Sequence, residues 1–293
     1  MSAIRPRRSA LYMPGSNARA VEKAKTLPAD VVIFDLEDAV APEMKAQARE
    51  AVCAAVKGGG YGQRELVIRI NGLATEWGEA DLEAAVSAAP DAILIPKVSS
   101  PDALLEVGRR LHALGAPQTT RVWAMIETPL AILQVRDIAA AAQDATSRLA
   151  CFVMGTNDLA KDTRARLTPG RAEMMPWLMT ALAAARAYGI DILDGVYNDL
   201  SDEDGFRSEC IQGRDGGFDG KTLIHPNQIA AANEIFAPSP DEIENARAIV
   251  AAFDEPQNAG KGAINLNGRM VERLHAEMAK RTLALAEAIA QRG

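Results

Sequence analysis

Eight short apolar runs place the strongest constraint on this chain. They occupy residues 9–13, 31–35, 66–70, 92–95, 121–126, 151–154, 190–193 and 222–224, and a stretch with helical apolar spacing follows each of them. Strands alternating with helices indicate an α/β domain with a parallel sheet, and a count of eight favours a closed (β/α)8 TIM barrel over an open doubly wound sheet. The first run is followed by Pro14-Gly15 rather than by a G-x-G-x-x-G turn, which weakens a dinucleotide-binding reading further. Beyond residue 227 the alternation stops: a Pro238-Ser239-Pro240 break, a helical pattern over 241–253, a turn-rich 254–262, an extended piece at 263–267 and a long helical pattern over 269–291. The expected organisation is a barrel over residues 1–237 and a C-terminal helical extension over 238–293, serving either as a packing element or as a lid.

Composition narrows the function classes. With 48% apolar and 24% charged residues, 293 residues suffice for one large domain and its core. A formal net charge of -7 argues against general nucleic-acid binding. Three cysteines, Cys53, Cys151 and Cys210, show no paired spacing and no zinc signature. No apolar run reaches membrane length and the charged N-terminus has no apolar stretch after it, so a soluble cytoplasmic protein without a membrane partner is expected.

In a barrel, residues at the C-terminal ends of the strands converge on one mouth. Here those ends carry Asp35, Glu37 and Asp38, then Arg69, Lys97, Glu127, Asp158 and Asp194. So many carboxylates at one mouth are expected to require a cation. Glu127 and Asp158 follow adjacent runs, and two carboxylates completed by water and substrate oxygens are the usual setting for Mg2+, with Mn2+ as a substitute. Arg69 is the candidate clamp for a substrate carboxylate through two parallel hydrogen bonds. Gly155 lets backbone approach a ligand closely. The plainer roles are that Asn157 or Asp158 caps the following helix, that Asp35 and Asp38 brace the barrel, and that Lys97 pairs with them. His225 reads as a structural hydrogen-bonder, and His112 and His275 as surface residues.

Six stretches carry a family resemblance: Ser9 to Ser16 (SALYMPGS), Asp35 to Val40 (DLEDAV), Val67 to Asn71 (VIRIN), Met125 to Pro129 (MIETP), Gly155 to Leu159 (GTNDL) and Lys221 to Pro226 (KTLIHP). In order and register they resemble the motifs of citrate lyase β-subunit-like enzymes, the malyl-CoA lyase, citramalyl-CoA lyase and malyl-CoA thioesterase group of the HpcH/HpaI aldolase superfamily. The resemblance implies a (β/α)8 barrel, Mg2+ on Glu127 and Asp158, Arg69 and Glu127 on the substrate acid, and backbone amides of Gly155, Thr156 and Asn157 around its carboxylate. It places coenzyme A, as part of the substrate, near Tyr12, Arg19 and Lys23. Asn17 stands where malyl-CoA lyases often have arginine. In relatives with a C-terminal extension, a Gly-x-Met-(Ile/Val)-Asp stretch carries an acid on a lid that reaches a neighbouring subunit of a homotrimer or homohexamer. The corresponding Gly268 to Glu272 (GRMVE) ends in Glu, one methylene longer than Asp. Glu272 is thereby the candidate general acid/base, with Arg69 and Asp38 as the other candidate catalytic residues. The implied activity is Mg2+-dependent retro-Claisen cleavage of (3S)-malyl-CoA-like esters to acetyl-CoA plus glyoxylate, or thioester hydrolysis to malate plus CoA. The alternatives are citramalyl-CoA cleavage or a citrate lyase β-subunit working with an acyl-carrier partner.

Overall fold

The computed structural model describes residues 4–292. Eight parallel strands close into one barrel: β1 (Ser9–Pro14), β2 (Val31–Asp35), β3 (Glu65–Arg69), β4 (Ala92–Ile95), β5 (Arg121–Ile126), β6 (Leu149–Met154), β7 (Asp191–Asp194) and β8 (Gly220–Leu223), with β8 pairing back onto β1. The helices between and after them are α1 (Ala18–Lys23), α2 (Lys45–Gly58), α3 (Gly78–Ala88), α4 (Pro101–Ala113), α5 (Pro129–Leu133), α6 (Val135–Ala140), α7 (Thr156–Thr163), α8 (Met175–Ala187), α9 (Glu203–Gly216) and α10 (Ile229–Ile235). The helical spacing after the fifth apolar run predicts one helix over 130–142, but Gln134, at φ -107°, divides it into α5 and α6.

Side-chain direction alternates along a strand, and that alternation decides what reaches the mouth. Val31 and Ile33, Ala92 and Leu94, Trp123 and Met125, Cys151 and Val153, with Ala10, Val67 and Leu193, pack together inside the barrel. Residues of the other parity, such as Val32, Phe34, Ile68 and Ile93, are buried on the outer face. Both faces are therefore covered, which is why the strands read as unbroken apolar runs. Stepping the inward parity forward by two places Tyr12, Asp35, Arg69, Glu127 and Gly155 at the mouth. The opposite end of the barrel is closed by Arg7, whose guanidinium lies 4.9 Å over the Trp123 ring and donates to Glu65 at 2.7 and 2.8 Å.

Residues 7–233 form one compact unit; residues 4–6 and 234–292 belong to a second. In the second unit α11 (Pro240–Asp254) starts on a Ser239/Glu242 capping box and packs along α12 (Arg273–Ala290). Between them β9 (Ala263–Leu266) and β10 (Arg269–Glu272) pair antiparallel. The long helix expected over 269–291 thus begins four residues late, because Arg269 to Glu272 is strand. The hairpin turns on Asn267 and Gly268, at φ 53° and 81°, the left-handed pair that a two-residue turn of this hand requires. Among the described residues no helix is long and apolar enough to cross a membrane, and all three cysteines are buried and unpaired.

Candidate active site

A cavity of about 370 Å³ opens at the C-terminal mouth of the barrel. Tyr12, Asp35, Asp38, Arg69, Glu127 and the Gly155 to Asp158 stretch line it, together with an apolar wall that includes Met125 and Val196. Most of the expected barrel residues therefore meet in one place. Arg19 and Lys23 do not line it; both lie exposed on α1, where Asn17 accepts the Ala20 N–H as the helix cap.

Among the described residues that line the cavity, Glu127 holds the buried side-chain oxygen that has no donor. Its Oε1 accepts the Lys97 backbone N–H at 2.7 Å, while Oε2 is buried without any partner. Gly155 makes room for it: a Cβ there would lie 2.3 Å from the Glu127 Cβ and 2.5 Å from Oε2. Burial and then the neighbouring Glu37 charge push the Glu127 carboxyl up to about 7, with Asp158 adding to the effect, against the opposing pull of Lys97. Asp158 stands in the first turn of α7 on the same cavity. A buried carboxylate oxygen with no donor, beside a second carboxylate, is the donor set a divalent cation satisfies. Among the described residues no group of three or more His, Cys, Asp and Glu side chains is arranged around an ion. An ion on Glu127 and Asp158 would therefore complete its shell from water and substrate, which suits Mg2+.

Arg69 is differently placed from the free two-point clamp expected of it. Its Nε and Nη2 donate to the two Asp35 oxygens at 2.7 and 2.6 Å, and its Cζ lies 4.9 Å over the Tyr12 ring. Nη1 sits 2.9 Å from Glu37 Oε2, without hydrogen-bond geometry, and 3.4 Å from Asp38 Oδ2. Burial opposes this charge, yet Asp35 and its neighbours hold it well above the ordinary arginine value. An anion can meet only the outer edge of the guanidinium. Asp35 also accepts the backbone N–H groups of Glu37 and Ala39 at 2.9 and 3.1 Å, so it braces the loop. Tyr12 supports Arg69 inside the barrel, and burial raises its hydroxyl above the ordinary tyrosine range.

Asp194 does not belong to the mouth. It follows the inward-facing Leu193 and points outward, where Arg171 Nη1 and Gly195 N–H donate to Oδ1 at 2.7 and 2.8 Å and Lys221 Nζ donates to Oδ2 at 2.9 Å. The expected crowding of unpaired carboxylates is correspondingly smaller: Asp35, Glu37 and Asp194 have cationic partners of their own. Asn157 exchanges two amide hydrogen bonds with Asn198, at 3.1 and 2.7 Å, which ties the loops after β6 and β7 together. His225 caps a short turn by accepting the Asn227 N–H, the structural use expected of it. Glu272 lies in the other unit, where its N–H donates to His275 Nδ1 at 2.9 Å. His275 is thus half-buried and bonded rather than a free surface residue. Sequence reasoning missed Lys45, which is buried and whose ammonium donates to Leu36 O, Glu37 O and Asn71 Oδ1, each at 2.8 Å, fixing the acidic loop from beneath.

The profile of the HpcH/HpaI aldolase/citrate lyase family matches residues 8–226, the whole barrel from β1 through β8. The chain belongs to this family. Within it, the chain is 50% identical over 285 residues to a (3S)-malyl-CoA thioesterase of Cereibacter sphaeroides, covering 97% of this chain and 96% of that one. It is 36% identical over 288 residues to the citrate lyase subunit beta of Escherichia coli, covering 97% and 94%. Among solved structures, the protein CitE from Mycobacterium tuberculosis, in complex with magnesium, acetoacetate and coenzyme A, aligns over 98% of this chain and 100% of that chain with a TM-score of 0.76 at 29% identity.

Proposed function

We infer that this chain is a Mg2+-dependent enzyme acting on β-hydroxyacyl-CoA esters such as (3S)-malyl-CoA, by thioester hydrolysis or by C–C cleavage. The observation that carries the reading is the buried Glu127 Oε2, donorless beside Asp158 in a cavity at the mouth of the barrel. Glu127 and Asp158 would hold the ion. When bound there, Mg2+ supplies Lewis-acid stabilisation of charge developing on substrate oxygens. The 50% identity to a (3S)-malyl-CoA thioesterase makes hydrolysis the first reaction to test.

The remaining roles follow from the residues themselves. Asp35 and Tyr12 hold Arg69 rigid, so its outer edge offers positive charge at a fixed place and loses little freedom when an acid binds. The Gly155 N–H, expected among the carboxylate donors, is already given to Ile126 O at 3.1 Å, whereas the first N–H groups of α7 have no intrahelical acceptor, so those of Thr156, Asn157 and Asp158 can receive a carboxylate. Arg19 and Lys23 offer exposed positive charge on α1 for the phosphates of coenzyme A. The C-terminal segment acts as a lid that delivers Glu272 as general acid/base, with Asp38 as the exposed carboxylate of the mouth. A homotrimer or homohexamer, in which the lid of one subunit serves its neighbour, accompanies this reading; light scattering of the purified protein checks the subunit count.

The test is one incubation with malyl-CoA and Mg2+, scoring free CoA against acetyl-CoA plus glyoxylate. Turnover should disappear with EDTA and return with excess Mg2+. Full turnover in chelator would remove the metal from the reading. Glu272→Ala should lower kcat about a hundred-fold while the affinity for CoA holds; an unchanged kcat takes the lid carboxylate out of the chemistry.

A further inference from the structure

The turn that leaves β4 holds a lysine in a backbone conformation that side chains disfavour. Lys97 has φ 52°, in the left-handed region, where Cβ crowds the following carbonyl oxygen. Among the other residues of this kind, Ala89, Arg148 and Arg164 end helical segments, where a left-handed residue is an ordinary cap, Asn267 forms the hairpin turn, and Arg171 follows Gly170 in the turn that leads into α8. Lys97 ends no helix. It stands one residue beyond β4, after Pro96, and such strain persists only where the surroundings demand it.

Its bonds show what the conformation accomplishes. The Lys97 N–H is aimed at Glu127 Oε1, 2.7 Å away, while the half-exposed side chain runs elsewhere and places Nζ 2.8 Å from Glu37 Oε1. With Oε1 taken, Oε2 is the oxygen left without a donor, pressed against Gly155. A change of φ at Lys97 would rotate this amide relative to the chain that follows it, and the carboxylate would lose the donor that sets its orientation.

We propose that Lys97 is a positioning residue for the divalent-ion site, its left-handed backbone turning the Glu127 carboxylate so that Oε2 alone faces the ion. The proposal rests on the reading of Glu127 and Asp158 as ion ligands. It assigns the effect to the backbone, so the side chain can be changed while the effect is followed. Glycine adopts the left-handed region freely, alanine at some cost, and β-branched valine only with strain. All three lack the ammonium, so any consequence of freeing Glu37 is common to them.

The measurement is Mn2+ binding to the full chain without substrate, followed by the electron paramagnetic resonance signal of free Mn2+. Wild type and Lys97→Gly should bind alike, Lys97→Ala more weakly, and Lys97→Val about ten-fold or more weakly than wild type. The Mg2+ concentration for half-maximal activity should follow the same order, a sequence that melting temperature alone would not reproduce. Equal binding by the glycine and valine variants overturns the proposal, whether both match wild type or both fall. Should Lys97→Val fail to fold, the glycine and alanine pair decides, and equal constants again overturn it. Absence of Mn2+ binding by wild type instead removes the ligand assignment itself, and the proposal with it.

Discussion

Two buried carboxylates stand at the C-terminal ends of β5 and β7, on either side of β6, and have opposite fates. Asp194 faces outward and is saturated: Arg171, Lys221 and a backbone N–H occupy both of its oxygens. Burial alone would raise its pKa, but Lys221 and Arg171 outweigh burial and hold it below the ordinary range. Glu127 faces inward with one oxygen bonded and the other donorless, and it is pushed up to about 7. Both groups are about equally inaccessible, so burial does not separate them. Satisfaction does: a carboxylate with all its donors in place holds the fold, and one left incomplete inside a cavity waits for something the chain does not supply.

Substitution at the two positions should therefore separate activity from stability. Glu127→Gln should lower kcat by about a thousand-fold, because the amide cannot serve as an anionic ligand, while the melting temperature of the metal-free protein holds or rises. A variant with wild-type turnover in Mg2+ would show that the reaction does not need the Glu127 carboxylate. Asp194→Ala should do the reverse. It strands Lys221 and Arg171 as buried cations, a loss of about 3–5 kcal/mol, read as a melting temperature lower by roughly 10 °C. The molecules that remain folded should bind Mn2+ as wild type does; a lost metal constant at full stability would place Asp194 in the site after all. Arg69→Lys, smaller again, should raise KM about ten-fold, since an ammonium cannot keep both Asp35 oxygens and still present a fixed edge to the substrate. An unchanged KM would make Arg69 a brace for Asp35 only.

The barrel was legible in the sequence because each strand is covered on both faces and so reads as an uninterrupted apolar run. Glu127 and Asp158 were legible because they interrupt such runs abruptly. Asp194 was misread for the same reason. It also ends an apolar run, but its direction depends on whether Leu193 or Asp194 takes the inward parity, and register against β6 and β8 decides that. Register also sets Asp35 beside Arg69 on paired strands, a contact invisible to spacing along the chain. Lys45 reaches its three acceptors from the helix after the acidic loop, again through tertiary placement. The hairpin at Asn267-Gly268 is another matter. An Asn-Gly pair between short alternating segments is a local turn signal, and the helical spacing of residues 269–291 obscured it.

The two carboxylates also differ in the sign of the pH dependence they give to stability. The native Glu127 carboxyl keeps its proton up to about 7, whereas its ordinary value is near 4.5. Between those limits the metal-free native state binds more protons than the unfolded chain, so unfolding free energy must fall as pH rises. Asp194 acts the other way: its native pKa is depressed, so its contribution is present above its ordinary value of 3.8 and is lost only in stronger acid. Across the interval from roughly pH 5 to 7, then, Glu127 supplies the slope and Asp194 does not. The metal-free wild type should melt at progressively lower temperature over that interval, and Glu127→Gln should show a shallower fall, the remainder coming from groups such as Glu37, whose carboxyl burial also raises. The ion competes with the same proton, so Mn2+ affinity of the wild type should strengthen as pH approaches 7. Equal slopes in wild type and variant would mean that Glu127 is already ionised in the empty site. In that case its orphaned oxygen has found a donor, and the distinction between the two carboxylates disappears.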